Sequence, residues 1–348
     1  MAALSHYTFG KADGMGAFAD ACDTPIMWPA RAIITRAPDQ KWPVIVKAIG
    51  MSNGYVLSHA ICRENGIMSG QKWFITGASS GLGLALTTKV LAEGHPVIAA
   101  VRRVEAMQAL KQAWPDLLEV ESVDLTNREQ VQSVAARHPN VDVVVNNAGG
   151  AVIGAMEEMS EADIEQQIAL NLLAPIHVTR AFLGALRAKK RGTFIHVSSV
   201  GGRAAFPGGS LYHAAKYGLE GFAEAVSQEV AEFGIRTLII EPGSIKTGFV
   251  ANIRWTKELD EYKDSAVGKL RRWIEENGDA NASGDAVKMA DAIYTISQMP
   301  EPPLRTVLGG DAYGVLEAGY TRSLAALQAQ KDIAGSVMLE GKTGFVPE

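Results

Sequence analysis

Tyr212 and Lys216 stand four residues apart, in a stretch, SSVGGRAAFPGGSLYHAAK (198–216), that opens on the serine pair Ser198-Ser199. A phenol titrates at about pH 10, so an isolated tyrosine is a poor acid or base at neutral pH. If Tyr212 lies on a helix, residues i and i+4 share a face and Lys216 stands beside the phenol. An ammonium there favours phenolate over phenol and draws the pKa toward working pH. The same residues would also suit a core tyrosine next to a solvated lysine. The elements around them decide between packing and chemistry.

From Met68 onward, short apolar runs alternate with helical patterns. KWFITG (72–77), VIAAV (97–101), LEVESVDL (118–125), VDVVVNNAG (141–149), TFIHVSS (193–199) and IRTLIIEPG (235–243) read as strands. Between them, 82–94, the region around 105–114, roughly 160–190 (with Pro175 inside it) and 211–232 read as helices, and Thr126 with Glu129 forms a capping-box pattern. Strands and helices alternating at this spacing make βαβ units and a parallel sheet covered on both faces. The expected fold is an α/β, Rossmann-type doubly wound parallel sheet. Residues 1–67 lack sustained periodicity and read as an irregular, non-catalytic N-terminal extension, leaving 68–348 as a single domain with both cofactor and substrate sites. Residues 249–285 read as a mobile substrate cover, with Trp255, Tyr262 and Trp273 offering aromatic surface, and 302–319 as a last strand and helix.

TGASSGLG (76–83) follows the first of these strands and opens the first helix. Glycines there allow a tight turn and let backbone approach a pyrophosphate at the helix N-terminus, where N–H groups and dipole favour an anion. The spacing is G-x-x-x-G-x-G over Gly77, Gly81 and Gly83, and no Gly-Lys-Ser/Thr follows, which argues against a P-loop. With NNAG (146–149), YHAAK (212–216) and PGSIKTG (242–248), this turn completes an ordered set of four motifs. In order and placement the set resembles the short-chain dehydrogenase/reductases, and what remains from Met68 fits their compact single-domain branch.

That resemblance implies that Tyr212 is the catalytic acid/base. Lys216 then lowers the phenol pKa and donates hydrogen bonds to the nicotinamide ribose. Ser199, whose spacing to Tyr212 matches the family, stabilises the substrate oxygen, while Ser198 is structural. Asn171 supports a water chain to Lys216. By the same resemblance Gly77, Ser79, Gly81, Leu82 and Gly83 line the cofactor, Asp124 meets the adenine, Asn147 the adenosine half, Arg180 is a cofactor-site base, and Ile245 and Thr247 meet the carboxamide. Where relatives specific for NAD carry an acid at the end of the second strand, this chain has Val101 followed by Arg102-Arg103. A guanidinium there suits a 2′-phosphate and points to NADP, although Ser80 stands where some NADP-dependent relatives have a second basic residue. His196 and His213 lack metal-ligand spacing and read as structural, and no metal is expected.

A net charge of −5 without a basic stripe excludes a nucleic-acid partner, and no apolar run reaches the length of a membrane span. Cys22 and Cys62 are the only cysteines, which favours a reducing compartment; the expected location is cytoplasmic. The implied function is NADP(H)-dependent interconversion of a carbonyl and a secondary alcohol on a small hydrophobic metabolite of steroid, retinoid or polyketide type, in a homodimer or homotetramer. A non-catalytic NADP-binding regulator and a cofactor-dependent isomerase or epimerase are the alternatives.

Overall fold

In the computed structural model, which describes residues 45–51, 54–60, 70–278, 280–339 and 341–342, every apolar run expected as a strand is one. The chain divides into two compact units, Met1–Gly70 with Ala92–His95, and Gln71–Leu91 with Pro96–Glu348. In the first, β1 (Ile45–Met51) and β2 (Gly54–Ala60) pair antiparallel, Met51 opposite Gly54. This corrects the expectation of an irregular extension over that stretch. Val, Ile and Tyr favour strands, and a two-residue spacer containing Asn53 is a hairpin signal. The rest of 1–67 lies outside the described residues.

The second unit holds β3 (Trp73–Thr76), α1 (Gly81–Ala92), β4 (Val97–Val101), α2 (Gln108–Ala113), β5 (Leu118–Ser122), α3 (Arg128–Arg137), β6 (Val143–Asn146) and β7 (Val152–Ile153). Next come α4 (Glu161–Ile168), α5 (Ala174–Lys189), β8 (Gly192–Val197), α6 (Ser210–Val230), β9 (Ile235–Pro242) and β10 (Arg254–Trp255). It ends with α7 (Ala266–Asn277), α8 (Ala286–Ser297), β11 (Arg305–Leu308), α9 (Gly310–Gln328) and α10 (Lys331–Ser336). Among the described residues seven strands form one parallel sheet in the order β11-β9-β8-β6-β3-β4-β5. Alternate side chains feed two cores. Trp73, Ile75, Val97, Ala99, Ile195 and Leu238 pack under α1 and α8, while Phe74, Ile98, Val144 and Phe194 pack under α3, α5 and α6. Phe74 and Phe182 meet with ring centroids 4.7 Å apart. Both faces are covered, which is why the strands read as continuous apolar runs.

Three local readings need adjustment. Helix α3 is capped by Asn127, whose side chain accepts from the Glu129 and Gln130 amides, not by Thr126. The Thr126 hydroxyl is committed to Asp124 at 2.7 Å, so the next cap-type residue takes the role. The stretch 249–285, expected to be a mobile cover, makes specific contacts over 254–259. β10 pairs with β7, Glu158 accepts from the Thr256 hydroxyl (2.7 Å) and the Leu259 amide (3.0 Å), and Arg254 pairs with Asp163. Finally, Glu161–Lys189 is long and apolar enough to cross a membrane by length and composition. Here it is a core helix, with Val178, Phe182 and Leu186 buried against the sheet.

The strand order reverses beside β3: the chain moves to β4 and β5 on one side, then returns to β6 on the other. A crevice opens at the carboxyl ends of strands at such a point, and the glycine turn sits there. Gly77 and Gly81 take φ of 66° and 54°. A Cβ on Gly83 would come closer than 3 Å to both the Gly77 carbonyl oxygen and Asn147 Nδ2. Both are pinned, because Asn147 Nδ2 donates to the Thr76 carbonyl at 2.9 Å. Gly83→Ala is therefore expected to cost about 1–3 kcal/mol, seen as a lower melting temperature in calorimetry; an unchanged value would show that the turn yields freely.

Candidate active site

Strand β8 delivers Ser199 to the carboxyl edge, and α6 returns beneath it with Tyr212 in its first turn. Ser199 Oγ accepts from the Gly201 amide at 3.0 Å and is hydrogen bonded to Tyr212. His213 holds the intervening loop against α6. Its Nε2 accepts from the Phe206 amide (2.9 Å), so Nδ1 carries the proton and donates to the Gly201 carbonyl (2.8 Å). The reading of His213 as structural agrees with this geometry.

Lys216 is buried, and its Nζ donates to the Val197 carbonyl at 2.9 Å, lying 5.9 Å from the centre of the Tyr212 ring. Burial pushes the Tyr212 phenol up, and the hydrogen bond with Ser199 opposes it. Burial also brings Lys216 from 10.5 down to about 8, opposed by the charge of Glu220. His196, with Nδ1 3.3 Å from Asn146 Nδ2, is held neutral by burial and then by the Lys216 charge, at about 3.

Asn171 lies in a wide turn, Ala169–Leu173, whose hydrogen bonds skip one residue further than those of an α-helix. Its amide is committed on both sides: Oδ1 accepts from the Gly150 N–H (3.2 Å), and Nδ2 donates to the carbonyls of Gly150 (3.0 Å) and Gln167 (3.1 Å). Gly149 is the spacer that brings Asn171 and Lys216 near each other; a Cβ on it would lie 2.9 Å from Asn171 Oδ1 and 3.8 Å from Lys216 Nζ. Ser199, Tyr212, Lys216 and Asn171 thus converge at one end of the sheet.

The cofactor-side candidates divide. Gly77, Ser79, Gly81, Leu82 and Gly83 form the turn and the first turn of α1. Thr247 closes over the turn, its Cβ 3.1 Å from where a Gly81 Cβ would be. Ile245 packs against the core, and its loop pairs with Gly284. Arg102 is exposed immediately after β4, and Asp124 follows β5 along the same edge, held to Thr126. Asn147 spends its amide on the turn. Arg180 is not brought to these residues: it is exposed and lines a groove between α3 and α5 with Arg128, Gln132 and His177. Sequence reasoning missed Asp311, which clamps the loop carrying Ile245 and Thr247; its Oδ2 accepts from the Ser244 amide (2.8 Å) and hydroxyl (2.7 Å). The signal was Gly309-Gly310-Asp311 directly after a strand. Among the described residues no group of three or more His, Cys, Asp and Glu has the placement of a metal site.

Lys216 makes stability depend on pH with a definite sign. Below about pH 8 the folded and unfolded chains both hold its proton, and the cost of burying the cation is fully present. Between about 8 and 10.5 the folded chain has released the proton and the unfolded chain keeps it, so this contribution to stability rises with pH. Lys216→Met is expected to abolish the rise: in melts across that window the wild type gains on the variant, and a constant difference would refute the assignment.

The family described as short chain dehydrogenase matches residues 71–258. The chain is 36% identical over 245 residues to Oxidoreductase BOA17 of Botryotinia fuckeliana, covering 69% of this chain and 89% of that protein. A crystal structure of a short-chain dehydrogenase from Streptomyces avermitilis superposes with a TM-score of 0.71 at 35% identity, over 77% of this chain and all of that one. The closed form of a serine dehydrogenase complexed with NADP+ superposes at 0.59 with 27% identity, over 68% of this chain and 94% of that one. With the glycine turn at the reversal of strand order and the Ser199–Tyr212–Lys216–Asn171 cluster beside it, the chain belongs to the short-chain dehydrogenase/reductase family.

Proposed function

We propose that residues 68–348 form an NADP(H)-dependent oxidoreductase that interconverts a carbonyl and a secondary alcohol on a small hydrophobic molecule of steroid, retinoid or polyketide type. The observation that carries this is the hydrogen-bonded Ser199–Tyr212 pair beside buried Lys216, at the crevice that the glycine turn opens.

The turn fits a dinucleotide: Gly77 and Gly81 take positive φ, and the N-terminus of α1 presents N–H groups to a pyrophosphate. Arg102, at the end of β4 with no carboxylate beside it in sequence, suits a 2′-phosphate, and the serine dehydrogenase neighbour carrying NADP+ supports the same choice. The nicotinamide, when bound, supplies or accepts the hydride. Ser199 and Tyr212 then hold the substrate oxygen between two hydroxyls. Because burial keeps the Tyr212 phenol protonated at neutral pH, it is a ready donor to an oxygen gaining charge, and Ser199 stabilises that charge. Lys216 contributes its cation to the phenol as the proton leaves. Exposed Met156, against Ser210, and Phe206, its ring tilted 57° to that of His213, give the approach to Tyr212 an apolar border that suits a hydrophobic substrate.

Tyr212→Phe keeps the ring and removes the proton. It is expected to abolish turnover of carbonyl compounds, followed by NADPH absorbance in a substrate screen, while NADPH binding by titration persists; turnover within a few-fold of wild type would overturn the assignment. Arg102→Ala removes a charge-assisted contact worth about 1.5–3 kcal/mol, so the preference for NADPH over NADH in kcat/KM should fall by roughly one to two orders of magnitude. Equal loss with both cofactors, or a wild type that prefers NADH, would defeat the NADP reading.

A further inference from the structure

Helix α6 carries Tyr212, Lys216, Glu220 and Glu224 at successive spacings of four, which aligns them along one face. Only the first two enter the chemistry above. Glu220 is 3% exposed and meets Glu241, 1% exposed, from the end of β9. Ile240 points into the core under α1 and α8, so its neighbour Glu241 faces α6. Both carboxylates converge on one guanidinium nitrogen: Arg305 Nε is 3.0 Å from Glu220 Oε2 and 3.6 Å from Glu241 Oε1, while its Nη2 donates to Glu224 at 2.9 Å. Arg203 faces the same group from the loop after β8, and its guanidinium lies 5.3 Å from the centre of the Tyr320 ring. Ser198 completes the enclosure through Gly202, where a Cβ would lie 2.5 Å from Ser198 Oγ and 3.2 Å from Glu220 Oε1. The loop that presents Ser199 therefore rests on this cluster.

Glu220 Oε1 and Glu241 Oε1 are both buried against Arg305, and neither has a hydrogen-bond donor of its own. An ionised carboxylate only accepts, so two of them can bond only through a proton that one of them keeps. We propose that Glu220 and Glu241 are a buried carboxyl pair sharing one proton, and that the single negative charge they retain is the positioning element that keeps Lys216 an ammonium; this rests on the reading of Lys216 given under Proposed function. Burial works against a cation at Lys216, and the charge one helical turn away is what opposes it. Burial, then the charge of Glu220, brings Glu241 up to about 7, in keeping with a shared proton near neutral pH, while Arg203 and Arg305 pull the other way. His196, which also faces Lys216, is neutral and supplies no counter-charge.

Glutamine substitutions distinguish charge from packing. E220Q or E241Q alone leaves one carboxylate, with an amide N–H in place of the shared proton, so the charge survives. E220Q/E241Q removes it. In the full-length protein, with NADPH and the carbonyl compound that turns over fastest in the screen, the alkaline limb of the kcat/KM profile should stay within about half a pH unit of wild type in each single variant. In the double variant it should move down by about one unit or more. A double variant whose limb coincides with wild type, or which shows only a pH-independent loss, overturns the proposal. Infrared spectroscopy decides independently of activity and of whether the double variant folds. The protonated-carboxyl C=O band should be present in wild type at neutral pH and missing from both single variants; its absence from wild type overturns the pair. If Tyr212→Phe retains turnover, the catalytic reading fails while the infrared result still judges the pair.

Discussion

Helix α1 meets the end of β3 at a separation that leaves no room for a Cβ at Gly83, with the Gly77 carbonyl on one side and the Asn147 amide on the other. Thr76 fastens the same point from below: its hydroxyl donates to the Val145 carbonyl at 3.0 Å and accepts from the amides of Asn147 and Ala148. The first and fourth strands in use are thus sewn together where the sheet reverses its order. Because Gly149 and Gly150 follow directly, the stitch also fixes where Asn171 finds its partners. The crevice at the glycine turn and the Asn171 end of the Ser199–Tyr212–Lys216–Asn171 cluster share one anchoring point.

The electrostatics of the cluster follow from α6 lying flat on the sheet. Burying that face disfavours every charge on it. His196 stays neutral, Lys216 comes down, the Tyr212 phenol goes up and the Glu241 carboxyl rises toward neutrality. Lys216 and Glu241 approach neutrality from opposite sides, while His196 and Tyr212 are moved further into their neutral forms. The polar content of this layer is therefore part of the site, even where it touches no ligand.

Much of this was legible in the sequence because buried parallel strands are apolar throughout and glycine turns recur at one place relative to them. The strand Val97–Val101 falls where its residues predict. Other features depend on competition the sequence does not display. Thr126 and Asn127 are both good caps, and Asp124 decides between them by taking the threonine hydroxyl. Lys216 beside Tyr212 predicts a lowered phenol pKa, but how deeply the ring is buried and where Nζ turns are tertiary facts. Arg180 has the residue type of a cofactor contact and the wrong face of α5. Glu220 and Glu224 look like the solvated side of a helix until β9 and β11 bring Glu241 and Arg305 against them.

The wide turn at Ala169–Leu173 separates two jobs along what would otherwise be one helix. Upstream, Gln167 accepts from the Val152 amide and Asp163 pairs with Arg254, so α4 is tied to β7 and β10. Downstream, Val178, Phe182 and Leu186 belong to the core. The buried positions 163, 167, 171 and 175 recur every four residues, which outruns an ideal helix of 3.6 per turn, and the extra residue in the wide turn absorbs the drift. The turn acts as a phase joint. Side chains can be exchanged on the half before the turn without rotating the half that holds the sheet together, so changes there leave the framework in register.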